Sequence, residues 1–285
     1  MNFQIYLRIL TTVGLKRLIT SFISIFGFLW LLTEPVGLFF PNTLNFGWLG
    51  YFVLILISLI SAIILRFPKR SASKQLPAPN STIEIKIGDL FGEKGHLVVG
   101  VNDVFDTELG EVIAPSSVQG QLLSILYSND QSRLDADIEK ALENYQSQRK
   151  EDTGKTRGKR WRYPIGTTLA LGTHEKRYFL TAYGYMGNDL KIQSNADYIW
   201  LSLSSLWEQV RLKGHGMQVS IPIIGSTLAR TNLPRLTLAK LIITSFVIAS
   251  KQEFITQKLT LIISPTDIDF INLYDLEDFL ETALF

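Results

Sequence analysis

The chain has 285 residues, 46% of them hydrophobic and 19% charged, with a formal net charge of +2 and no cysteine. This near-neutral balance gives no electrostatic case for nucleic acid. The lack of cysteine excludes disulfides, thiolate metal sites and a cysteine nucleophile. The three histidines, His96, His174 and His215, have no metal-ligand spacing, so no metal site is expected.

The apolar excess sits before Arg66. A first segment, LITSFISIFGFLWLLTEPVGLFF, covers about 18–40, and a second, WLGYFVLILISLISAIIL, covers 48–65. About 20 mainly apolar residues suffice for a helix to cross a hydrocarbon core. Residues 1–68 are therefore expected to form a transmembrane hairpin, with Glu34 and Pro35 read as the start of its outer turn. Lys16 and Arg17 before an apolar run imitate a signal peptide, but no small-x-small cleavage site follows and a second apolar segment does. Arg8, Lys16 and Arg17 precede the first span, and Arg66, Lys69 and Arg70 follow the second, whereas the loop around 41–46 has no Lys or Arg. The positive-inside rule then places both ends in the cytoplasm, as a multi-pass protein of the inner membrane. Trp30, Trp48 and Tyr51 suit the interfaces. Ser21 with Ser24, and Ser58 with Ser61, have the helical spacing that lets small residues share a face.

KRSASKQLPAPNS, 69–81, reads as a linker by composition. From residue 82 onward, strand-like and helix-like runs alternate. IEIKI (83–87) and HLVVGV (96–101) read as strands, 135–149 as a helix with an apolar stripe, and GKTRGKR (154–160) as a basic loop. TTLALG and YFLTAYG follow as strands, then a helix over 196–213, a central strand MQVSIPIIG, a helix over 236–249, a strand over 258–264 and a helix over 276–284. This order implies an α/β fold, a mixed sheet with flanking helices, over 82–285.

Ligands of such sheets bind in loops at strand C-termini, close to helix N-termini. Three loops qualify. GDLFGEKG carries Asp89 and Leu90. NDVFDTELGEVIAPSSVQGQ carries Asn102, Asp103, Thr107, Ser117, Val118, Gln119, Gly120 and Gln121. GSTLART carries Gly225, Ser226, Thr227, Leu228, Ala229 and Arg230. Glycine permits close backbone approach, hydroxyls add donors, and an arginine can meet a phosphate. Each loop also reads simply as a turn, and none is a P-loop or a GxGxxG.

Taken together, GDLF (88–91), VGVNDVFDT (99–107), YPIGTTLAL (163–171) and VSIPIIGSTLART (219–231) resemble a macro domain, and their order is similar to the macro-like domain of Thoeris antiphage effectors. The resemblance implies an ADP-ribose-binding domain. Asp89 would accept a hydrogen bond from the adenine amino group. Asn102 and Asp103 would open the loop around the distal ribose. Residues 117–121 and 225–230 would form two phosphate loops. The stretch DVFDTELGEVIAPSS stands where hydrolytic relatives carry a glycine-rich segment, so binding without catalysis, and without a cofactor, is expected. The implied ligand is an ADP-ribose derivative, with a histidine conjugate favoured, made by a TIR-domain NAD-consuming enzyme. The other implied partners are membrane lipids and further copies of the chain, in a tetramer or larger. Binding would rearrange the oligomer and disrupt the membrane, ending in cell death or growth arrest. A membrane-tethered ADP-ribosyl hydrolase and a passive membrane scaffold are the alternatives.

Overall fold

A computed structural model describes residues 10, 14–40, 47–67, 71–226 and 231–283. Two compact units result, one holding the two N-terminal helices and the other beginning at Ser71.

In the first unit, α1 (Leu15–Phe39) and α2 (Gly47–Arg66) are each long and apolar enough to cross a membrane. Ser21, Ser58 and Ala62 are the residues they bury, so one member of each serine pair lies where backbones must approach closely. Phe26 and Trp30 of α1 meet Tyr51 of α2 edge-on, with centroids 5.9 and 6.1 Å apart. Arg66 Nε donates to Ser21 Oγ at 2.7 Å. Phe28, Leu31, Ile57 and Ile60 stay exposed. Glu34 and Pro35 do not begin a turn: α1 runs through them to Phe39. Proline removes one N–H only, and in apolar surroundings the remaining backbone groups have no better partner than the helix itself.

The second unit is built on a mixed sheet of strand order β1-β2-β10-β9-β3-β7-β6, with β8 paired to β7. Its strands are β1 (Ser71–Leu76), β2 (Ser81–Ile87), β3 (His96–Asn102), β6 (Thr168–Gly172), β7 (Arg177–Met186), β8 (Ile192–Gln193), β9 (Val219–Pro222) and β10 (Lys258–Ile263); β4 (Lys150–Glu151) and β5 (Trp161–Arg162) pair separately. The five central strands β2, β10, β9, β3 and β7 are parallel, and β1, β6 and β8 pair antiparallel at the margins. Five C-terminal strand ends therefore open on the same edge.

Helices cover both faces. The alternation of β7 shows how. Leu180 and Ala182 pack with Leu122 of α3 (Val118–Leu126) and with Leu134 and Ile138 of α4 (Gln131–Leu142). Thr181 turns the other way, and its Oγ1 donates to the Ser202 carbonyl of α5 (Ala196–Lys213) at 3.4 Å. α5 in turn packs on α6 (Arg235–Gln252). There Trp207 stands edge-on to Phe246 at 5.3 Å and donates from Nε1 to Ser245 Oγ at 2.9 Å. A last helix, α7, spans Leu273–Ala283.

Three further expectations, in the second unit, need correction. The helix expected over 135–149 begins at Gln131, because Asp130 caps it by accepting from the Arg133 N–H at 3.0 Å; past Leu142 the chain tightens to a 3-10 turn. The strand expected over 217–225 pairs only over 219–222, and the chain beyond Pro222 bends away from the sheet. The expected linker contributes a strand: Ser71–Leu76 pairs antiparallel with Ser81–Lys86 in continuous register. An edge strand needs little apolar content, and here Leu76 alone is buried, which is why composition hid it. A truncated protein starting at Ser71 is expected to unfold cooperatively, and one starting at Thr82 to melt at lower temperature, since it uncovers Ile83 and Ile85. Thermal denaturation of the two checks this.

Candidate functional site

At the C-terminal strand edge lies a cavity of about 510 Å³. Its floor begins at Gly100 and Tyr183, on neighbouring strands. Asp89 and Leu90 wall it beside β2; Ser117, Val118, Gln119 and Gln121 wall it at the start of α3; and Pro222 to Ser226 wall it after β9. Asp89 caps a 3-10 turn by accepting the Phe91 N–H at 3.1 Å through Oδ1, so Oδ2 is left for a ligand. Ser117 caps α3 by accepting the Gly120 N–H at 3.0 Å. The amides of Val118 and Gln119, first in the helix, have no intrahelical acceptor. Gly120 itself is spatially required: a Cβ there would lie 2.4 Å from the Ala114 carbonyl oxygen and 2.9 Å from Pro115. Gly225 has φ +81°, the left-handed region, and turns the backbone of Ile224–Ser226 along the cavity.

Residues 227–230, and with them Thr227, Leu228, Ala229 and Arg230, lie outside the described residues.

Asn102, Asp103 and Thr107 do not line the cavity. They are buried, and their polar atoms are spent on the protein itself. Asn102 Oδ1 accepts the N–H groups of Val104 (3.3 Å) and Asp106 (3.1 Å), and its Nδ2 donates to Asp106 Oδ2 at 3.3 Å. Asp103 accepts from the Met186 N–H at 2.8 Å and from Arg162 at 2.6 Å. Thr107 Oγ1 donates to Asp135 at 2.7 Å. These groups fold the segment between β3 and α3, residues 103–117, into a cavity wall.

The basic stretch 154–160 completes that fold from behind. Lys155 and Asp106 are an ion pair at 3.7 Å with both side chains essentially excluded from solvent. The Lys159 N–H donates to Asp106 Oδ1 at 2.7 Å, and Lys159 Nζ reaches Asp135 at 2.5 Å. Arg162 bridges Asp103 and Asp152. Burial pushes the Asp103 carboxyl above the usual carboxylate range, against the pull of the Met186 amide and Arg162. Burial also raises Asp106, opposed by the Lys159 amide and Lys155. Burial acts upward on Asp135 too, but Lys159 and the Thr107 hydroxyl together hold it below its ordinary value.

With this geometry in view, the sequence matches the family described as Thoeris protein ThsA, Macro domain, over residues 83–264. The chain belongs to that family. Two solved variants of the Oceanobacillus iheyensis macrodomain share the fold. An aspartate-to-alanine variant is 15% identical with a TM-score of 0.52, over 75% of this chain and 99% of its own. A glycine-to-valine variant with ADPR is 16% identical with a TM-score of 0.52, over 74% of this chain and 100% of its own. At such identity the likeness is one of fold alone. No curated protein matches the sequence. The domain is thus a ThsA-type macro domain, a mixed sheet with flanking helices preceded by two long apolar helices.

Sequence reasoning missed, besides Ser264 to Asp267 after β10, two further parts of the cavity wall. One is Glu111 to Ala114. The other follows β7, where Met186, Leu190, Lys191 and Ile192 line the cavity and Leu190 takes φ +55°. Gly187, Asn188 and Asp189 form a turn signal directly after a strand, and the strand-end rule applied there would have found this segment.

Two predictions follow the ion network. Replacing Asp106 with Ala leaves Lys155 buried without a counter-charge, and is expected to cost about 3–5 kcal/mol in urea denaturation near neutral pH. The raised carboxyls also set a pH trend. Their folded pKa exceeds the unfolded one, so the folded chain binds these protons more readily, and lowering the pH from about 7 toward the ordinary value of 3.8 raises their contribution to stability. Asp135 acts oppositely, and its contribution is lost only below that value. Denaturation of Asp106→Asn alongside the parent over this range checks the sign, since the variant lacks the Asp106 part of the gain.

Proposed function

We propose that this protein is a membrane effector of a Thoeris-type antiphage system whose macro domain senses an ADP-ribose-derived signal. The observation that carries the reading is the cavity on the parallel strand edge. It has a carboxylate with one spare oxygen at the β2 end, and the free amides of α3 and the Gly225 turn beside it. These are the groups that a nucleoside diphosphate needs: an acceptor for an exocyclic amine, and backbone donors for a diphosphate. A macrodomain of the same fold was solved with ADPR.

In this reading Asp89 holds the adenine amino group. Leu90 lines the base site, residues 117–121 cradle one phosphate, and 225–230 cradle the other. Asn102, Asp103 and Thr107 act by shaping the wall. Their consumption by internal bonds supports binding without hydrolysis. The favoured signal is histidine-linked ADP-ribose made by a TIR-domain enzyme that consumes NAD. The two helices insert as a hairpin in the inner membrane, with both ends of the chain cytoplasmic. The protein assembles with copies of itself. A signal shifts such an assembly only through its different affinity for two states. The second state is a rearranged oligomer whose helices disrupt the membrane and halt growth.

Replacing Asp89 with Ala is expected to weaken binding of the ADP-ribose derivative to the full-length protein about 10–100-fold, the worth of a charge-assisted hydrogen bond. Growth arrest on co-expression with the TIR enzyme during phage infection should be lost with it. Calorimetry and growth curves check both, and growth arrest persisting without detectable binding would sink the reading. Turnover of the ligand on incubation would favour the hydrolase instead.

A further inference from the structure

The chain enters the second unit on the strand edge that carries the cavity. β1 begins at Ser71, whose register partner is Lys86, next to the C-terminal end of β2. Only residues 67–70 separate Ser71 from Arg66, the last residue of α2. Five peptide steps span at most about 18 Å at about 3.6 Å each. On the reading of α2 as a span, Arg66 marks the bilayer surface, and chain length alone keeps Ser71 within that reach of the lipid headgroups.

Two exposed rings stand on the same edge, each covered by an arginine. Phe270, 62% exposed, ends the 3-10 turn Pro265–Phe270 that follows β10, and the Arg235 guanidinium lies 4.2 Å from its ring centre. β10 is two strand positions from β1, about 10 Å. Trp161 of β5 is 40% exposed, with the Arg149 guanidinium 4.0 Å from its ring centre. Its neighbour Arg162 donates to the Met186 carbonyl, at the end of β7, at 2.9 Å, which holds β5 at this edge.

The cations of 149–162 divide into two sets. Lys155, Arg157, Lys159 and Arg162 are spent on Asp106, Glu111, Asp135 and Asp103. Arg149, Lys150 and Arg160 form no ion pair among the described residues, and Lys150 and Arg160 are exposed. Glu151, in register with Trp161, leaves the β4–β5 pair positive. An amphipathic ring beside uncompensated cations suits the headgroup zone, where the ring lies at the interface and the cations meet phosphates.

We propose that the cavity edge of the domain rests on the anionic phospholipid surface of the bilayer, with Arg149, Lys150 and Arg160 on lipid phosphates and with Trp161 and Phe270 at headgroup depth. The proposal rests on the reading of the two helices as a membrane hairpin.

The test uses the full-length chain in lipid nanodiscs. The sequence has no cysteine, so a single fluorophore can be placed by Thr153→Cys, in the loop that joins β4 to β5, or by Glu175→Cys, in the exposed turn before β7. These sites report opposite strand edges, since β7 has ten residues, or about 33 Å. The quencher is a phosphatidylcholine with a nitroxide on its headgroup. In discs with about 30% phosphatidylglycerol, quenching at 153 is expected to exceed that at 175 by about twofold or more, as a surface charge felt only within a Debye length allows. The ratio should fall toward one in discs of phosphatidylcholine alone, and in the triple variant Arg149→Gln, Lys150→Gln, Arg160→Gln in anionic discs. The lipid exchange needs no further substitution, so it decides even where the triple variant fails to fold. A ratio near one in anionic discs, or one unchanged by the lipid exchange, overturns the proposal while the hairpin reading stands. Excess quenching at 153 that requires two chains per disc identifies a second copy as the occupant, and also overturns it. A chain that stays soluble without discs or detergent refutes the hairpin reading, and the proposal with it.

Discussion

Two carboxylates buried at the end of β3 organise the binding edge of this domain. Asp103 and Asp106 leave the sheet together. Asp103 collects the Met186 amide and Arg162, while Asp106 collects the Lys159 amide, Asn102 and Lys155. Taking charges out of water is costly unless they are paired and hydrogen-bonded. That cost ties the segment after β3 to the basic stretch 154–162, because neither can move away without stranding a charge. The cavity wall from Glu111 to Ala114 hangs on this framework, as does the packing of the Ala114 carbonyl against Gly120 at the start of α3.

The framework separates holding from contact. The buried carboxylates of the region lie behind the wall, whereas the wall itself presents backbone, apolar side chains and a few isolated charges. A cavity of that kind binds an anionic ligand through amides and helix ends without a cluster of arginines. Among the described residues it also leaves no buried acid free on the β3 side of the cavity, where Asn102 and Asp103 are already committed. The basic run, which by composition looks like a solvated loop, is in fact half internal: Lys155 is among the largest fully buried side chains.

Much of this was legible in the sequence, because each visible element is dictated by a local pattern. The alternation of IEIKI, the continuous apolar run HLVVGV, and the helix expected over 196–213 all reappear where the pattern put them. β1 escaped because an edge strand buries one residue only. The fate of Asn102 and Asp103 escaped for another reason. An Asn-Asp pair after a strand reads equally as a ligand contact or as a turn; for Asp103 the choice rests on Arg162 and Met186, 59 and 83 residues away, which no local pattern announces, whereas Asn102 is taken up by its near neighbours Val104 and Asp106. The same holds for Lys191, whose place on the cavity follows from a positive-φ turn and the pairing of β8 with β7.

The hairpin has a property of its own. α1 has 25 residues and α2 has 20, or about 37 and 30 Å at 1.5 Å per residue. On the membrane reading proposed above, α2 matches a hydrocarbon core of about 30 Å and α1 exceeds it. Ser21 is fastened to Arg66 near one end of the pair, so the excess collects at the other, where Glu34, Pro35 and the exposed Leu38 and Phe39 lie. A helix too long for its bilayer tilts or thickens the lipid around it. Bilayer thickness then becomes a mechanical variable to which this hairpin responds, and lipid composition a setting for how readily it rearranges.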